Sequence, residues 1–239
     1  MKELRQQLDI LLKQAGSDKN VFEHEEAPYP FGDEERNIAY LLSSNKMTYE
    51  QYLQLKKGYI ERNKNLPLFD MAPRTFGETW GETHILTLFP EFDKATKENV
   101  SRDFPEFDGE FDLWLDGIRV EVKACRANST GTGGSLSSRA YLHSEARANS
   151  FKYHYQQLKP SCCDIFIWIG VCRDELLYWV LTSDELRQTG KLGPQHRNEN
   201  TGIAGADVFE GQVFMTEEEL KPFAVDEKDI LMVVKNKMQ

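Results

Sequence analysis

The chain has 239 residues, of which 40% are hydrophobic and 11% aromatic, so it carries enough apolar material for a sizeable core and is not a disordered chain. Its longest apolar run, Ile165 to Cys172, is far shorter than the ~20 residues of a membrane-spanning helix. The charged N-terminus lacks the apolar centre of a secretory signal, and the four cysteines match neither a disulfide framework nor a zinc pattern. We therefore expect a cytoplasmic protein with reduced thiols and no membrane partner.

The charge is acidic overall but unevenly distributed. The chain holds 29 basic and 39 acidic side chains, and the net charge of -10 argues against a nucleic-acid partner. Within residues 124–160, however, Glu145 is the only acidic side chain against five basic ones: Arg126, Arg139, Arg147, Lys152 and Lys159. This basic stripe is either an ordinary solvated face or a surface for an anionic partner.

Hydrophobic periodicity and breaker residues predict the elements in chain order. Helical spacing covers residues 1–14, 48–63 and 75–88. Alternation then predicts strands over 111–115 and 118–124, a Ser/Thr/Gly-rich loop over 128–138 and a helix over 140–158. Later segments predict buried strands over 164–171 and 176–181, a short helix from Ser183, a polar loop over 190–206 and a strand over 207–215. This order indicates a mixed α/β fold, with a helical N-terminal region, residues 1–74, packed on a core of residues 75–239 as one compact unit.

The two strands at 111–124 are joined by Asp116-Gly117, a strong signal for a two-residue hairpin turn. Such a turn fixes the register, and one face of the hairpin is then entirely apolar: Phe111, Leu113, Leu115, Ile118, Val120, Val122 and Ala124. On the opposite face the register places Asp112 across from Glu121, with β-carbons ~5 Å apart, and Lys123 beside them. The hairpin therefore predicts two adjacent carboxylates and an ammonium group on its polar face.

Two carboxylates this close destabilise a sheet unless a cation lies between them. Oxygen ligands of this kind suit Mg²⁺, which can activate a water and stabilise charge on a phosphoryl oxygen. Lys123 could orient or deprotonate that water, or neutralise developing charge. The alternative is a solvated polar face in which Lys123 and Arg119 form cross-strand salt bridges with the acids.

The segment from Asp112 to Lys123, DLWLDGIRVEVK, resembles the PD-(D/E)xK signature of type II restriction endonucleases and several DNA-repair nucleases. The resemblance covers roughly residues 75–175. It implies a restriction-endonuclease-like central mixed β-sheet flanked by helices, with DNA-recognition loops in the core of residues 75–239. It also implies that Asp112 and Glu121 hold Mg²⁺ while Lys123 assists the attacking water.

The sequence departs from this signature at one position. Phe111 precedes Asp112 where the name of the family has proline, although Pro105 lies upstream. Asp108 is a rival for the first acid, but we favour Asp112 because the hairpin register places it opposite Glu121.

The resemblance implies further polar groups from the flanking helices. Glu78 and Glu82 share one face of the predicted helix over 75–88, and we favour Glu82 as the additional metal ligand. After the hairpin, the stretch 155–159 is the matching helical segment, and Gln157 is its candidate contact residue. Both glutamates and Gln157 could equally be ordinary solvated side chains.

A donor-rich segment follows the hairpin and has the residue types that contact bases and phosphates in DNA. Its candidate DNA-binding residues are Arg126, Asn128, Ser138, Arg139, His143 and Arg147. A second polar segment over 195–201 adds Arg197 and Asn198. A glycine-rich surface loop is the alternative interpretation of the first segment.

We expect a type II restriction endonuclease that makes Mg²⁺-dependent, sequence-specific double-strand cuts in DNA. The resemblance implies products with a 5′-phosphate and a 3′-hydroxyl. A homodimer is expected, because two-fold protein symmetry then mirrors palindromic site symmetry. The alternatives are a DNA-repair or structure-selective nuclease of the same fold, a non-catalytic DNA-binding module, or a structural protein whose hairpin acids are simply solvated.

Overall fold

The computed structural model describes residues 2–16, 32–131, 133–195 and 211–238. The chain divides into two compact units, Met1–Lys64 and Asn65–Gln239. Residues 65–74, assigned to the helical region from the sequence, belong to the second unit. Among the described helices, none is both long and apolar enough to cross a membrane.

The described residues of the first unit contain three helices: α1 (Lys2–Gln14), α2 (Gly32–Ser43) and α3 (Tyr49–Arg62). The periodic apolar positions of α1 and α2 form its core, with Leu8, Leu12 and Leu41 buried together. Helix α3 begins at a capping box in which Thr48 and Gln51 satisfy each other's backbone N–H groups. The helices predicted over 1–14 and 48–63 are thus confirmed.

The second unit is a mixed α/β structure. Its helices are α4 (Leu66–Asp70), α5 (Gly81–Leu88), α6 (Lys97–Val100), α7 (His143–Ala148), α8 (Ser183–Gln188), α9 (Glu217–Leu220) and α10 (Ile230–Lys237). A π-helical turn, Thr75–Trp80, runs directly into α5, so the helix predicted over 75–88 is confirmed. Short 3-10 turns lie at Ser137–Arg139, Lys221–Phe223 and Glu227–Asp229.

The strands of the second unit form two sheets. They are β1 (Asp93–Lys94), β2 (Leu113–Leu115), β3 (Ile118–Arg126), β4 (Lys152–Leu158), β5 (Ile165–Val171), β6 (Leu176–Thr182), β7 (Gly193–Pro194), β8 (Gly211–Thr216) and β9 (Ala224–Val225). The larger sheet has the order β1-β2-β3-β5-β6-β9, and the smaller one has the order β4-β8-β7. The larger sheet is mixed, because β3 is antiparallel to β2 but parallel to β5.

Strand β3 separates two hydrophobic layers. Its side chains Val120 and Val122 pack with Phe76 and Ile85 on the helical side of the sheet. The opposite side of the sheet, which carries Trp168 on β5, packs against the inner face of the β4-β8-β7 sheet. The polar face of the hairpin therefore lies beside the junction between the two sheets.

The helix predicted over 140–158 is wrong. Only α7 is helical, and the chain then turns at Ser150, which has a left-handed φ of 48°, and enters β4. In β4 the side chains of Tyr153 and Tyr155 are buried while their neighbours are not, the period-2 pattern of a strand with one covered face. Gln157, predicted on a helix, therefore lies on a strand at an irregularity with a φ of 57°.

Candidate active site

The hairpin at the centre of the site has the predicted register. Asp116 and Gly117 both have positive φ values, 48° and 95°, as a type I′ turn requires. The pairs Leu115–Ile118, Trp114–Arg119 and Leu113–Val120 follow from that turn.

Asp112 lies at the point where this ladder ends. Its backbone N–H donates to the Val120 carbonyl at 3.0 Å, and its Oδ2 accepts from the Val122 N–H at 2.8 Å. The prediction that Asp112 and Glu121 form a regular ladder pair is therefore wrong. The Asp112 backbone N–H bonds to β3 before Glu121, and its carboxylate bonds to β3 after Glu121. The two acids are nevertheless adjacent, since the charge of Asp112 acts on Glu121.

The Lys123 ammonium donates to Oε1 of Glu121, which is buried, while the Lys123 side chain keeps some exposure to solvent. Burial raises the pKa of Glu121 to about 8, Lys123 opposes that rise, and Asp112 adds to it. Burial lowers the pKa of Lys123, but the carboxylates of Glu121 and Asp112 outweigh burial and the net shift is upward. Lys123 is thus an ammonium group at neutral pH. The pKa of Glu121 remains raised despite the charge of Lys123, so further positive charge beside Glu121 would be needed to favour its ionised form.

Helix α5 brings a third carboxylate to the site. Gly81 packs on β3, where an added Cβ would lie 3.6 Å from Val122 Cγ1, and this close approach places Glu82 beside the hairpin. Glu82 is buried, and Lys94 Nζ on β1 lies 2.9 Å from its Oε2. Burial raises the pKa of Glu82, Lys94 opposes this, and the charge of Asp112 raises it further.

These residues suit a divalent cation by their chemistry. The charge of Asp112, the residue before β2, acts on both Glu82 of α5 and Glu121 of β3. These two glutamates have raised pKa values that a bound cation would reverse. In the part of the chain that is described, no three His, Cys, Asp or Glu side chains are grouped so as to hold a metal ion. Each carboxylate instead has a local partner: Lys123 for Glu121, Lys94 for Glu82 and the Val122 N–H for Asp112.

The rival first acid lies outside this cluster. Asp108 pairs with Lys97 at 2.7 Å, and its side chain is 61% exposed. The side chain of Glu78 is outside the part of the chain that the structure describes.

The predicted DNA-binding residues after the hairpin make mostly internal hydrogen bonds. Nη1 of Arg126 donates to the carbonyls of Leu68, Phe69 and Met71, and its guanidinium stacks 4.3 Å from the Phe76 ring centroid. Arg126 thus caps the end of α4.

Three further residues of the predicted set stabilise their own loop. Nη1 of Arg139 donates to the carbonyls of Ser129 and Gly131. Asn128 donates to Ser129, and the Ser138 hydroxyl donates to Ser135. The loop after β3 is therefore cross-linked by the polar side chains that the sequence assigned to DNA.

His143 and Arg147 lie on α7, beside the helix α9. His143 contacts Glu175 Oε2 at 2.6 Å and Glu217 Oε2 at 2.8 Å with its two ring nitrogens. Arg147 is 66% exposed and lies 3.8 Å from Glu217.

The last three predicted contact residues are on or beyond β4. Gln157 is exposed, and its backbone N–H donates to Gln195 Oε1 at 2.7 Å. Arg197 and Asn198 lie outside the described residues.

Two lysines near the site were not predicted as site residues from the sequence. Lys94 contacts Glu82 from β1, and the charge of Lys159, which follows β4, acts on Glu121. Neither lies in a motif, so only the position of its strand brings it to the site.

No protein-family model and no curated protein matches this chain. Its function is therefore inferred from the chemistry of the site.

Proposed function

We propose that this protein is a Mg²⁺-dependent endodeoxyribonuclease of the PD-(D/E)xK type, with a restriction-endonuclease-like core. One observation carries the proposal. Two buried glutamates with raised pKa values, Glu121 on the hairpin and Glu82 on α5, both interact with the charge of Asp112, and Lys123 lies beside Glu121. Carboxyl groups with strongly perturbed pKa values cluster at functional sites, and a bound cation would favour the ionised form of both glutamates.

In this proposal Asp112, Glu121 and Glu82 hold the cation, and Lys123 lies next to the scissile phosphate. When bound, Mg²⁺ supplies Lewis-acid stabilisation and an activated water. Lys123 supports the reaction by donating to developing negative charge, because its raised pKa keeps it an ammonium group and disfavours a role as general base. The reaction class is hydrolysis of a phosphodiester to a 5′-phosphate and a 3′-hydroxyl.

Plasmid cleavage tests the proposal. Incubation of the full chain with mixed-sequence plasmid and Mg²⁺ should convert supercoiled DNA to nicked and linear forms, and chelation of the metal should stop it. Asp112→Asn, Glu121→Gln and Lys123→Met should each lose at least ~100-fold in rate, the scale on which removal of one electrostatic contact acts. Asp108→Asn, a neighbouring acid outside the cluster, is the matched control and should cut normally. Wild-type activity in Asp112→Asn would contradict the assignment.

We propose the type II restriction class because of the polar loop after β3 and the exposed side chains of Arg147 and Gln157. Such an enzyme would act as a homodimer on duplex DNA. Discrete bands from mixed-sequence plasmid, and a dimer mass by light scattering, are the expected results.

A structure-selective nuclease is the second candidate, and a specific observation favours it. Arg126, Arg139 and His143 are committed to internal partners, which leaves fewer side chains of this loop to read bases. A smear from plasmid, or cuts that depend on branches or ends, would support this candidate. Binding to DNA without any cleavage would indicate a non-catalytic module instead.

A further inference from the structure

The two lysines of the site differ in burial. Lys123 is largely enclosed beside Glu121, whereas Lys94 has a side chain that is 63% exposed although it contacts a carboxylate, Glu82, that is only 11% exposed. Lys94 lies on β1, the edge strand of the larger sheet next to β2, so its ammonium enters the site from solvent.

Two acids of the proposed cation site act on this ammonium. Glu82 accepts its hydrogen bond at 2.9 Å, and the charge of Asp112 also stabilises the charged form of Lys94. The Lys94 ammonium, on the solvent side of the site, therefore neutralises part of the negative charge of Glu82 and Asp112.

We propose that Lys94 is a displaceable counter-ion, which holds Glu82 in the metal-free protein and leaves it when a divalent cation binds to the site. This inference rests on the proposed function. An ammonium and a divalent cation repel each other, so they do not share one carboxylate at contact distance without loss of affinity. Because Lys94 is mostly solvated, leaving Glu82 costs it little, since ion pairs with an exposed partner are weak.

Release of Lys94 also couples metal binding to substrate binding. A free ammonium on an edge strand beside the site can contact a backbone phosphate of DNA. By linkage, a cation that frees Lys94 then strengthens DNA binding, and DNA strengthens cation binding by the same factor. Lys94 would therefore leave the Glu82 carboxylate and contact a DNA phosphate when the enzyme binds the metal ion and DNA.

Calorimetric titration of the metal-free full chain with Mg²⁺ tests the competition directly. Lys94→Met should bind Mg²⁺ about three- to tenfold more tightly than wild type, because one competing positive charge is removed. Lys97→Met is the matched control, since Lys97 lies three residues away and pairs with Asp108 outside the site. Its Mg²⁺ affinity should equal that of wild type. Circular dichroism should show that both variants keep the wild-type fold.

Duplex binding at saturating Ca²⁺ tests the coupling. A labelled mixed-sequence duplex should bind Lys94→Met severalfold more weakly than wild type, with a shallower dependence on salt. Equal duplex affinity for the two proteins would overturn the coupling.

The outcomes separate this inference from the proposed function. If wild type binds Mg²⁺, Glu121→Gln does not, and Lys94→Met binds as wild type or more weakly, then the counter-ion role is overturned while the metal site stands. If neither wild type nor any variant binds Mg²⁺ or cleaves DNA, both proposals are overturned.

Discussion

The Asp112 carboxylate accepts a hydrogen bond from the Val122 backbone N–H at 2.8 Å. Asp112 therefore serves the fold and the proposed chemistry with one side chain. Its oxygen continues the β2–β3 hydrogen bonding past the last ladder pair, Leu113–Val120, and its charge lies next to Glu121. The two roles can be separated, because an amide keeps the acceptor but loses the charge.

Asp112→Ala should lower the free energy of unfolding by about 1–2 kcal/mol, since it leaves the Val122 N–H without its acceptor. Asp112→Asn should lower it by less than ~0.5 kcal/mol, because the amide oxygen can take the same bond. Both should abolish cleavage. Urea unfolding followed by tryptophan fluorescence reports this, since all four tryptophans lie in the second unit. Equal stability of the two variants would show that the hydrogen bond carries no weight.

Glu121 should make the metal-free protein less stable as the pH rises. Its folded pKa of about 8 lies above the ordinary glutamate pKa of 4.5, so between these values the folded state binds more protons than the unfolded state. The free energy of unfolding should therefore fall through this window and level off above it, by on the order of a few kcal/mol in total.

Denaturant unfolding in chelator at about pH 5 and about pH 8 measures this effect. Glu121→Gln has no proton to lose, so its free energy of unfolding should exceed that of wild type increasingly towards the higher pH. A constant difference between the two proteins across the window would contradict the raised pKa.

Arg126 should contribute to stability more than to DNA affinity. Its guanidinium donates hydrogen bonds to three backbone carbonyls at the end of α4 and stacks on the Phe76 ring. Arg126→Met should therefore lower the free energy of unfolding by about 2–4 kcal/mol. Arg126→Lys keeps the charge but not the planar fork, and should recover less than half of that loss. Arg147→Met, at an exposed position, is the control for charge and should leave stability within ~0.5 kcal/mol. A large loss of duplex affinity in Arg126→Met with unchanged stability would reverse this assignment.

Gly170 on β5 lies between Trp179 of its own sheet and Tyr153 of the smaller sheet. A Cβ at this position would lie 2.7 Å from the Trp179 ring and 2.8 Å from the Tyr153 ring, both of them buried. Gly170→Ala should therefore destabilise the second unit by about 1–3 kcal/mol. Gly193→Ala is the matched strand control and should be neutral, because among the described residues the nearest atom to an added Cβ is Gln212 O at 3.9 Å. Thermal unfolding of the two variants checks this, and equal melting temperatures would contradict it.

The local features of this protein could be predicted from its amino-acid sequence. The Asp116-Gly117 turn fixed a register that the structure reproduces, because turn geometry and period-2 alternation act over a few residues. The predicted helix over 48–63 and the buried strands at β5 and β6 were correct for the same reason, since a capping residue or a continuous apolar run signals them locally.

The contacts between residues that are distant in sequence became clear from the three-dimensional structure alone. The segment 152–158 became a strand because β8 pairs with it, although its spacing also fits a helix. Arg126 became a helix cap because α4 ends beside it, and Lys94 became a site residue because β1 pairs with β2 next to Glu82. Each of these outcomes depends on contacts between residues far apart in sequence, which periodicity and spacing do not encode.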